Sequence, residues 1–425
     1  MIGSINYPYL SPTPGEITIL AKSPYKDQNT ESITKEVFKT LIDCGFNSIV
    51  VIDSIENTRK CFQTLSGMNL RIVMGVLGDE NKLEERMSKM NTLVNEFHNN
   101  PILGGYTLID EPKFDQLGVV KDLYDMVKSI DKSHIIQINL ATEFAPNSKL
   151  GKDYLGTFTS FIDYLNYFQS LFTPAVWSYD FYPIRLIEGK TVANISDFFN
   201  RMQIFYNQAK ATNRPFWAYS MCMPYINCKE GEVCDPDSPT ASGRPIPTEG
   251  ELRFEAFSAL AYGAQGIVYW AYTQRDYNYG LKEEYISAPI DTKGNKTLIW
   301  YYVQKVNQEI KTFNNVFFGC EVIRVSHAGR VYPETSAFSY DFGYIKNLET
   351  GSQGVLISHL RNNKNDYIII VNHDPLNIQK IKLEFINPDK VVEMSEQYDQ
   401  EPEDNPGDSH YLTLGPGGYA LYQVW

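Results

Sequence analysis

The stretch Gly104-Gly105-Tyr106-Thr107-Leu108-Ile109-Asp110-Glu111-Pro112 decides how this chain is read. The apolar run from Leu103 to Ile109 predicts a buried strand. It stops at two adjacent carboxylates and a proline. Charges resist burial unless paired, so a buried strand does not end on Asp-Glu for packing reasons. Pro112 ends the ladder and can open a helix. In a barrel of parallel strands the carboxyl ends carry the chemistry. Glu111 is therefore an active-site residue if the flanking sequence builds such a barrel.

On both sides, apolar runs alternate with amphipathic ones. Strands are predicted at 16–21, 47–53, 70–77, 102–109, 135–140, 175–179, 215–221 and 266–272. Helical spacing fills 31–44, 54–66, 80–99, 114–130, 154–171, 195–211, 248–262 and 298–313. Eight strand-helix units predict a (β/α)8 TIM barrel over residues 1–317. The turn after Ala21 is Lys22-Ser23-Pro24-Tyr25, without the Gly-rich phosphate loop that opens a doubly wound sheet. After Gly319 the period falls from 3.6 to 2. Short runs at 320–325, 354–359, 366–371, 381–385, 391–394, 411–414 and 419–425 predict a smaller all-β domain, an antiparallel β-sandwich over 318–425.

Composition narrows the partners. The 425 residues carry a net charge of -13 and no block of Lys or Arg, which argues against nucleic acid and anionic membrane surfaces. No apolar run reaches the roughly 18 residues of a membrane span. Tyr and Trp, 29 and 5 in number, suit sugar rings as well as cores. Cys228 and Cys234 share a polar loop and could close a small disulfide or remain free thiols. With Cys222 they lack CxxC spacing and a nearby His, so neither zinc nor any cofactor is expected. The start Met1-Ile2-Gly3-Ser4-Ile5-Asn6 is not a secretory signal. A loop disulfide would favour an exported protein, its signal absent from this chain, over a cytoplasmic one.

If the barrel forms, the residues after each strand line its mouth: Lys22, Asp53, Asp110, Glu111, Asn139, Asp180, Tyr182, Ser220 and Tyr272 to Arg275. None of the six His falls there, which speaks against a barrel metallohydrolase and predicts no metal site. Lys22 alone could serve Schiff-base chemistry; a solvated loop lysine is the simpler reading. Carboxylates among aromatics are what glycoside hydrolysis needs. One carboxyl protonates the leaving oxygen, another attacks the sugar or activates water, and rings hold the substrate. Glu111 is the expected acid. Asp180, within Trp177-Ser178-Tyr179-Asp180-Phe181-Tyr182-Pro183, is the expected partner, and Glu249 a third candidate. Glu249 also sits in Thr248-Glu249-Gly250-Glu251, which reads as a capping box. Asp110, Asn139, Tyr179, Tyr182, Trp217, Tyr219, Trp270 and Tyr272 are the expected substrate contacts. Plainer readings stand beside these: a solvated Asp-Glu loop at a helix start, a structural Asp180, and aromatics spent in the core.

These motifs, with Arg214-Pro215-Phe216-Trp217-Ala218-Tyr219-Ser220 and the segment Ala259-Leu260-Ala261-Tyr262-Gly263-Ala264-Gln265-Gly266 before strand eight, resemble TIM-barrel glycoside hydrolases near clan A. The nearest likeness is to the β-galactosidase-like families, in a poorly characterised bacterial branch that joins a barrel to a β-sandwich. The resemblance spans residues 16 to 317. It implies a hydrolase of oligo- or polysaccharides with an acid/base Glu after strand four, where Glu111 stands. The family usually has Asn before that Glu; here it is Asp110. The family nucleophile is a Glu ending strand seven, and this strand ends Trp217-Ala218-Tyr219-Ser220-Met221 without a carboxylate. The rival readings are a non-catalytic sugar-binding barrel and a carboxylate-dependent hydrolase of non-sugar substrates such as peptides or esters.

Overall fold

The computed structural model describes residues 12–26, 29–77, 83–142, 149–227, 235, 238–275, 283–395 and 410–425. Cys228 and Cys234 lie outside them. Eight strands close a parallel barrel: β1 (Thr18–Ala21), β2 (Ser48–Asp53), β3 (Arg71–Val76), β4 (Leu103–Asp110), β5 (Ile135–Ala141), β6 (Trp177–Asp180), β7 (Phe216–Met221) and β8 (Gly266–Trp270). Each pairs with its sequence neighbours, and β1 pairs with β8 to close the ring. Parallel strands covered by helices are buried on both faces, which is why they read as continuous apolar runs.

Local chemistry sets the helix ends. Thr34, Ser54, Ser160 and Asn194 each accept a backbone N–H at a helix start, satisfying donors that have no intrahelical partner. The stretch expected as one helix over 154–171 divides into Lys149–Leu155 and Phe161–Leu171. Gly156 between them has φ +61, and a Cβ there would lie 2.3 Å from the Phe114 ring. That position therefore needs glycine on two counts.

Alternation sorts the barrel residues. Ile19, Ile49, Val51, Ile72 and Met74 face the helices and join the main core. Leu20, Val50, Val73, Ile135, Trp217, Tyr219 and Val268 form a separate cluster that fills the inside. At Gly266 a Cβ would sit 2.6 Å from the Trp217 ring, so glycine makes room for that indole. The loops after β6, β7 and β8 contribute Ile184–Ile187, Lys190–Ala193, Tyr225–Asn227, Gly243–Arg244 and Glu283–Tyr285 to a five-stranded sheet on one side of the mouth. The sequence reading did not anticipate this sheet, because its strands are two to four residues long.

Past the short helix Asn314–Phe317, two antiparallel sheets face each other. One contains β9 (Glu321–Ala328), β11 (Val355–Asn362), β12 (Asn365–Asn372), β14 (Val391–Glu393) and β16 (Tyr419–Val424). The other contains β10 (Ile345–Glu349), β13 (Gln379–Phe385) and β15 (His410–Leu414). They share an apolar interior that includes Ile357, Ile368, Ile381, Leu383 and Leu412, the sandwich expected from the period-2 pattern. Strand β10 was missed; its sequence, Ile345-Lys346-Asn347-Leu348-Glu349, is largely polar and contains a bulge.

Helix Glu249–Ala261 is buried all round from Glu251 to Ala261. One side faces the barrel. On the other, Phe257 stacks on Tyr419 with centroids 3.8 Å apart and planes at 13°. Its apolar surface is covered only when the sandwich is present. A 1–317 fragment is therefore expected to be insoluble, and Phe257→Ala in the full chain to cost about 3–5 kcal/mol in denaturant unfolding. A soluble 1–317 fragment that unfolds cooperatively would contradict this.

Candidate active site

Strand β4 delivers two adjacent carboxylates to the barrel mouth by breaking strand geometry. Its register against β5 shifts between Thr107 and Asp110. Glu111 then adopts φ +49, a left-handed conformation that costs a non-glycine residue about 1–2 kcal/mol. Such strain persists where surroundings enforce it, and here the Glu111 N–H donates to the Asn139 carbonyl at 2.9 Å. Consecutive strand residues normally face opposite ways. The bulge and the left-handed residue lift that restriction.

Asn139 is the hub. Its Nδ2 donates to Asp110 Oδ1 at 3.1 Å and to Asp180 Oδ1 at 3.3 Å. Its Oδ1 accepts from Ser178 Oγ at 3.2 Å, which fixes the amide's orientation. Gln137 Nε2 donates to Ser178 Oγ at 2.9 Å and to Tyr219 OH at 3.2 Å. On the far side of Asp110, the Lys22 ammonium from the end of β1 pairs with Oδ2. The same ammonium lies 5.3 Å from the Tyr219 ring centroid, a cation–π contact.

Tyr182 and Tyr219 complete one wall. Burial, reinforced by the negative charges of Asp180, Glu111 and Asp110, pushes both phenols well above their usual range. Both are thus neutral hydroxyls at any working pH. The Tyr182 ring is 6.4 Å from Trp270, and Trp270 is 5.7 Å from Tyr285. Trp270 is only partly buried, and the Arg275 guanidinium lies over its ring, 5.8 Å from the centroid. Arg244 Nη1 donates to the Tyr182 and Ile184 carbonyls, and its guanidinium lies 5.5 Å from the Tyr182 ring.

The structure thus brings Asp110, Glu111, Asn139, Asp180, Tyr182, Tyr219 and Trp270 into one neighbourhood. Four expected residues lie elsewhere. Tyr179 faces the helices and stacks on Phe205 at 4.1 Å. Trp217 is fully buried inside the barrel, below the reach of a ligand. Tyr272 lies past the end of β8 and accepts a hydrogen bond from Trp300 Nε1 at 3.0 Å. Glu249 sits among the outer helices, paired with Arg253 and with Lys305 at 2.9 Å. Burial alone would raise the Glu249 carboxyl, but those two cations outweigh it and the net shift is downward. The expected capping box on Thr248 and Glu251 is present.

Lys22 was expected at the mouth, but as a solvated loop lysine, and three further polar residues escaped the sequence reading. Lys22 is 8% exposed, not a solvated loop lysine; its signal was its place directly after β1. Gln137 and Ser178 are polar residues within otherwise apolar strands. Gln137 and Asn139 are two apart and share a face, a period-2 signal that was legible. Glu255 is the third. It is 4% exposed on the all-buried helix Glu249–Ala261. Its Oε2 accepts from Ser220 Oγ at 2.7 Å and from Met221 N at 3.0 Å. This carboxyl braces the end of β7 from the helix side. Among the described residues, no group of three or more His, Cys, Asp or Glu is placed to hold a metal ion. No described helix is long and apolar enough to cross a membrane.

Comparison with known proteins bears on the fold. Residues 119–313 match the family model Glyco_hydro_42, described as β-galactosidase. The match covers β5 to β8 but not Lys22, Asp110 or Glu111. A catalytic mutant of Gan42B, a GH42 β-galactosidase from G. stearothermophilus, superposes with TM-score 0.62 at 8% identity, covering 98% of this chain and 99% of that one. The β-galactosidase from Bacillus circulans sp. alkalophilus gives 0.60 at 8% identity, with 99% and 100% covered. Against a third β-galactosidase, from the psychrophilic Marinomonas ef1, 70% of this chain spans 60% of the other at 10% identity, with TM-score 0.48. No curated protein matches the chain. In fold, and over the matched residues, the chain is similar to barrel glycoside hydrolases of the β-galactosidase kind.

Burial pushes the Glu255 carboxyl up from 4.5 to about 8, against the opposing pull of its bonds to Ser220 and Met221. Between these two values the folded chain holds a proton that the unfolded chain releases. Stability is therefore lost as pH rises through that window. Glu255→Gln should gain stability relative to the parent between pH 5 and pH 8, by at most about 1.4 kcal/mol per pH unit. Denaturant unfolding at the two pH values checks this; a flat difference, or one of opposite sign, contradicts it.

Proposed function

We propose that the barrel mouth hydrolyses glycosidic bonds, with Glu111 as general acid and Asp180 as the second carboxylate. The observation that carries this reading is the shared Asn139 amide, which holds Asp110 and Asp180 on strands flanking β5, with Glu111 next in the chain. A glycosidic oxygen leaving as an alkoxide needs a proton, and Glu111 is the candidate donor. The positive charge that develops at the sugar carbon needs a carboxylate on the other side, either as nucleophile or as base for water. Asp180 stands on that side in this assignment. The neutral phenols of Tyr182 and Tyr219 suit hydrogen bonding to sugar hydroxyls, and the partly exposed indole of Trp270 suits a sugar ring. Asp110 and Asn139 offer further polar contacts. The family match makes β-galactosides the first substrates to test.

A second reading has its own observation. Strand β7 ends without a carboxylate, and the nearest one found, Glu255, braces the strand from the helix side. On this reading the cleft binds sugar without cleaving it. A panel of aryl glycosides and oligosaccharides separates the two. With turnover, Glu111→Gln and Asp180→Asn should each lower kcat by about 10²- to 10⁴-fold. The anomer first formed, read by proton NMR, assigns retention or inversion. Full activity in Glu111→Gln removes the assignment; binding without turnover in the parent protein selects the second reading.

A further inference from the structure

Two of the six histidines have no place at the barrel mouth, yet each is only 1% exposed. His327 lies near the end of β9, and His373 directly follows β12. Their rings meet where the sandwich packs on the barrel. Phe199 and Tyr332 cover both, with ring centroids 4.7 to 5.7 Å away. Tyr262, at the end of the buried helix Glu249–Ala261, reaches them from the barrel side.

Burial keeps both rings neutral, pushing His373 down to about 3 and His327 well below its usual range. Hydrogen bonding then fixes each proton. The Gln353 carbonyl can only accept, so His373 Nδ1, 3.0 Å away, carries a hydrogen. A neutral imidazole has one N–H, so His373 Nε2 is bare and accepts from His327 Nδ1 at 2.8 Å. His327 Nε2 is bare in turn and accepts from the Tyr262 hydroxyl at 2.8 Å. The single hydrogen of that hydroxyl goes to His327 rather than to Gln203 Oε1 at 3.2 Å.

The surroundings do not favour a cation here. Arg330 bonds the Gln353 side chain at 3.3 Å and lies over Tyr332, and its charge lowers His373 further. Burial raises the Tyr262 and Tyr332 phenols, which stay neutral. The Asp374 carboxylate, next in the chain, accepts instead from the N–H groups of Leu376 and Asn377. Helix Ile195–Thr212 presents Phe199 to the rings, and Gln203 and Tyr206 to Tyr262. Among the described residues, no carboxylate bonds either ring.

We propose that Tyr262, His327 and His373 form an acid-sensitive latch that holds the sandwich on the barrel. A proton added to His373 Nε2 sets N–H against N–H and parts the chain there. One added to His327 Nε2 keeps its hydrogen bond if the hydroxyl turns to Gln203, but it buries a cation without a carboxylate beside it. Unfolded histidines titrate near 6.5. Below that value the unfolded chain binds protons that the folded chain refuses, so stability falls as pH falls toward about 3. The latch is a device of the fold and does not rest on the glycosidase reading.

His373→Gln tests this, because its side-chain carbonyl can accept from His327 and does not titrate. Urea unfolding of parent and variant is compared from about pH 6 to pH 4. The ratio of the parent's unfolding constant to the variant's should rise about tenfold per pH unit as pH falls, whatever the variant loses at pH 7. Glu255 is present in both proteins and cancels. A flat ratio overturns the proposal. Should the variant fail to fold, nitrogen-15 NMR of the parent decides. Both rings should be Nδ1–H tautomers, uncharged at pH 5; an Nε2–H tautomer or a charged ring overturns the latch. Hydrogen exchange at pH 5 should also find helix Glu249–Ala261 and β9 less protected than β2 to β5, because the seam opens before the barrel. Equal protection throughout means the histidines act on global stability alone, and it overturns the latch.

Discussion

The side-chain amide of Asn139 is the contact on which the mouth of this barrel depends. One nitrogen donates to Asp110 and to Asp180, and the oxygen is tied to Ser178. Strands β4, β5 and β6 thereby meet through polar side chains at their carboxyl ends, where the apolar filling of the barrel stops. Two carboxylates that close would repel each other without the shared donor. With it, and with Lys22 on the far side of Asp110, their positions are set before any ligand arrives. Preorganised charge of this kind is what makes a site effective, because little has to rearrange during reaction.

The rest of the fold supports that arrangement. The bulge in β4 and the left-handed Glu111 bring two consecutive residues to the same mouth. Leu20, Val50, Val73, Trp217 and Val268 make an apolar floor beneath. Glu255 fixes the end of β7 from outside, and the small sheet built from three loops stands beside Trp270 and Tyr182. The sandwich contributes at a distance. Its Tyr419 covers Phe257 on the helix that carries Glu255, so sandwich packing and the end of β7 share one buried helix.

Much of this was legible in the sequence. All eight barrel strands follow from apolar runs bounded by turn residues, and the change of period after Gly319 announces the sandwich. The Asp-Glu ending of β4 and the aromatic setting of Asp180 were readable because buried strands do not end on charges without a reason. What stayed hidden depends on three-dimensional partners. Lys22 looks like any loop lysine until β4 is seen opposite it. Glu255 looks like one more charge on a helix until the sandwich covers the other face. Tyr179, Trp217 and Tyr272 show the converse error: nearness to a strand end says little about which face a ring occupies. Tyr179 precedes Asp180 and therefore points the other way, into Phe205.

The central claim is that Glu111 gives a proton to the departing oxygen. The most direct measurement compares Glu111→Gln with the parent protein across aryl glycosides whose leaving phenols differ in acidity. A proton donor matters most when the leaving group is a poor one. The account predicts a small loss for dinitrophenyl glycosides, rising to about 10²-fold or more for alkyl glycosides and oligosaccharides. An equal loss for every leaving group would contradict it, because Glu111 would then be serving something other than proton transfer.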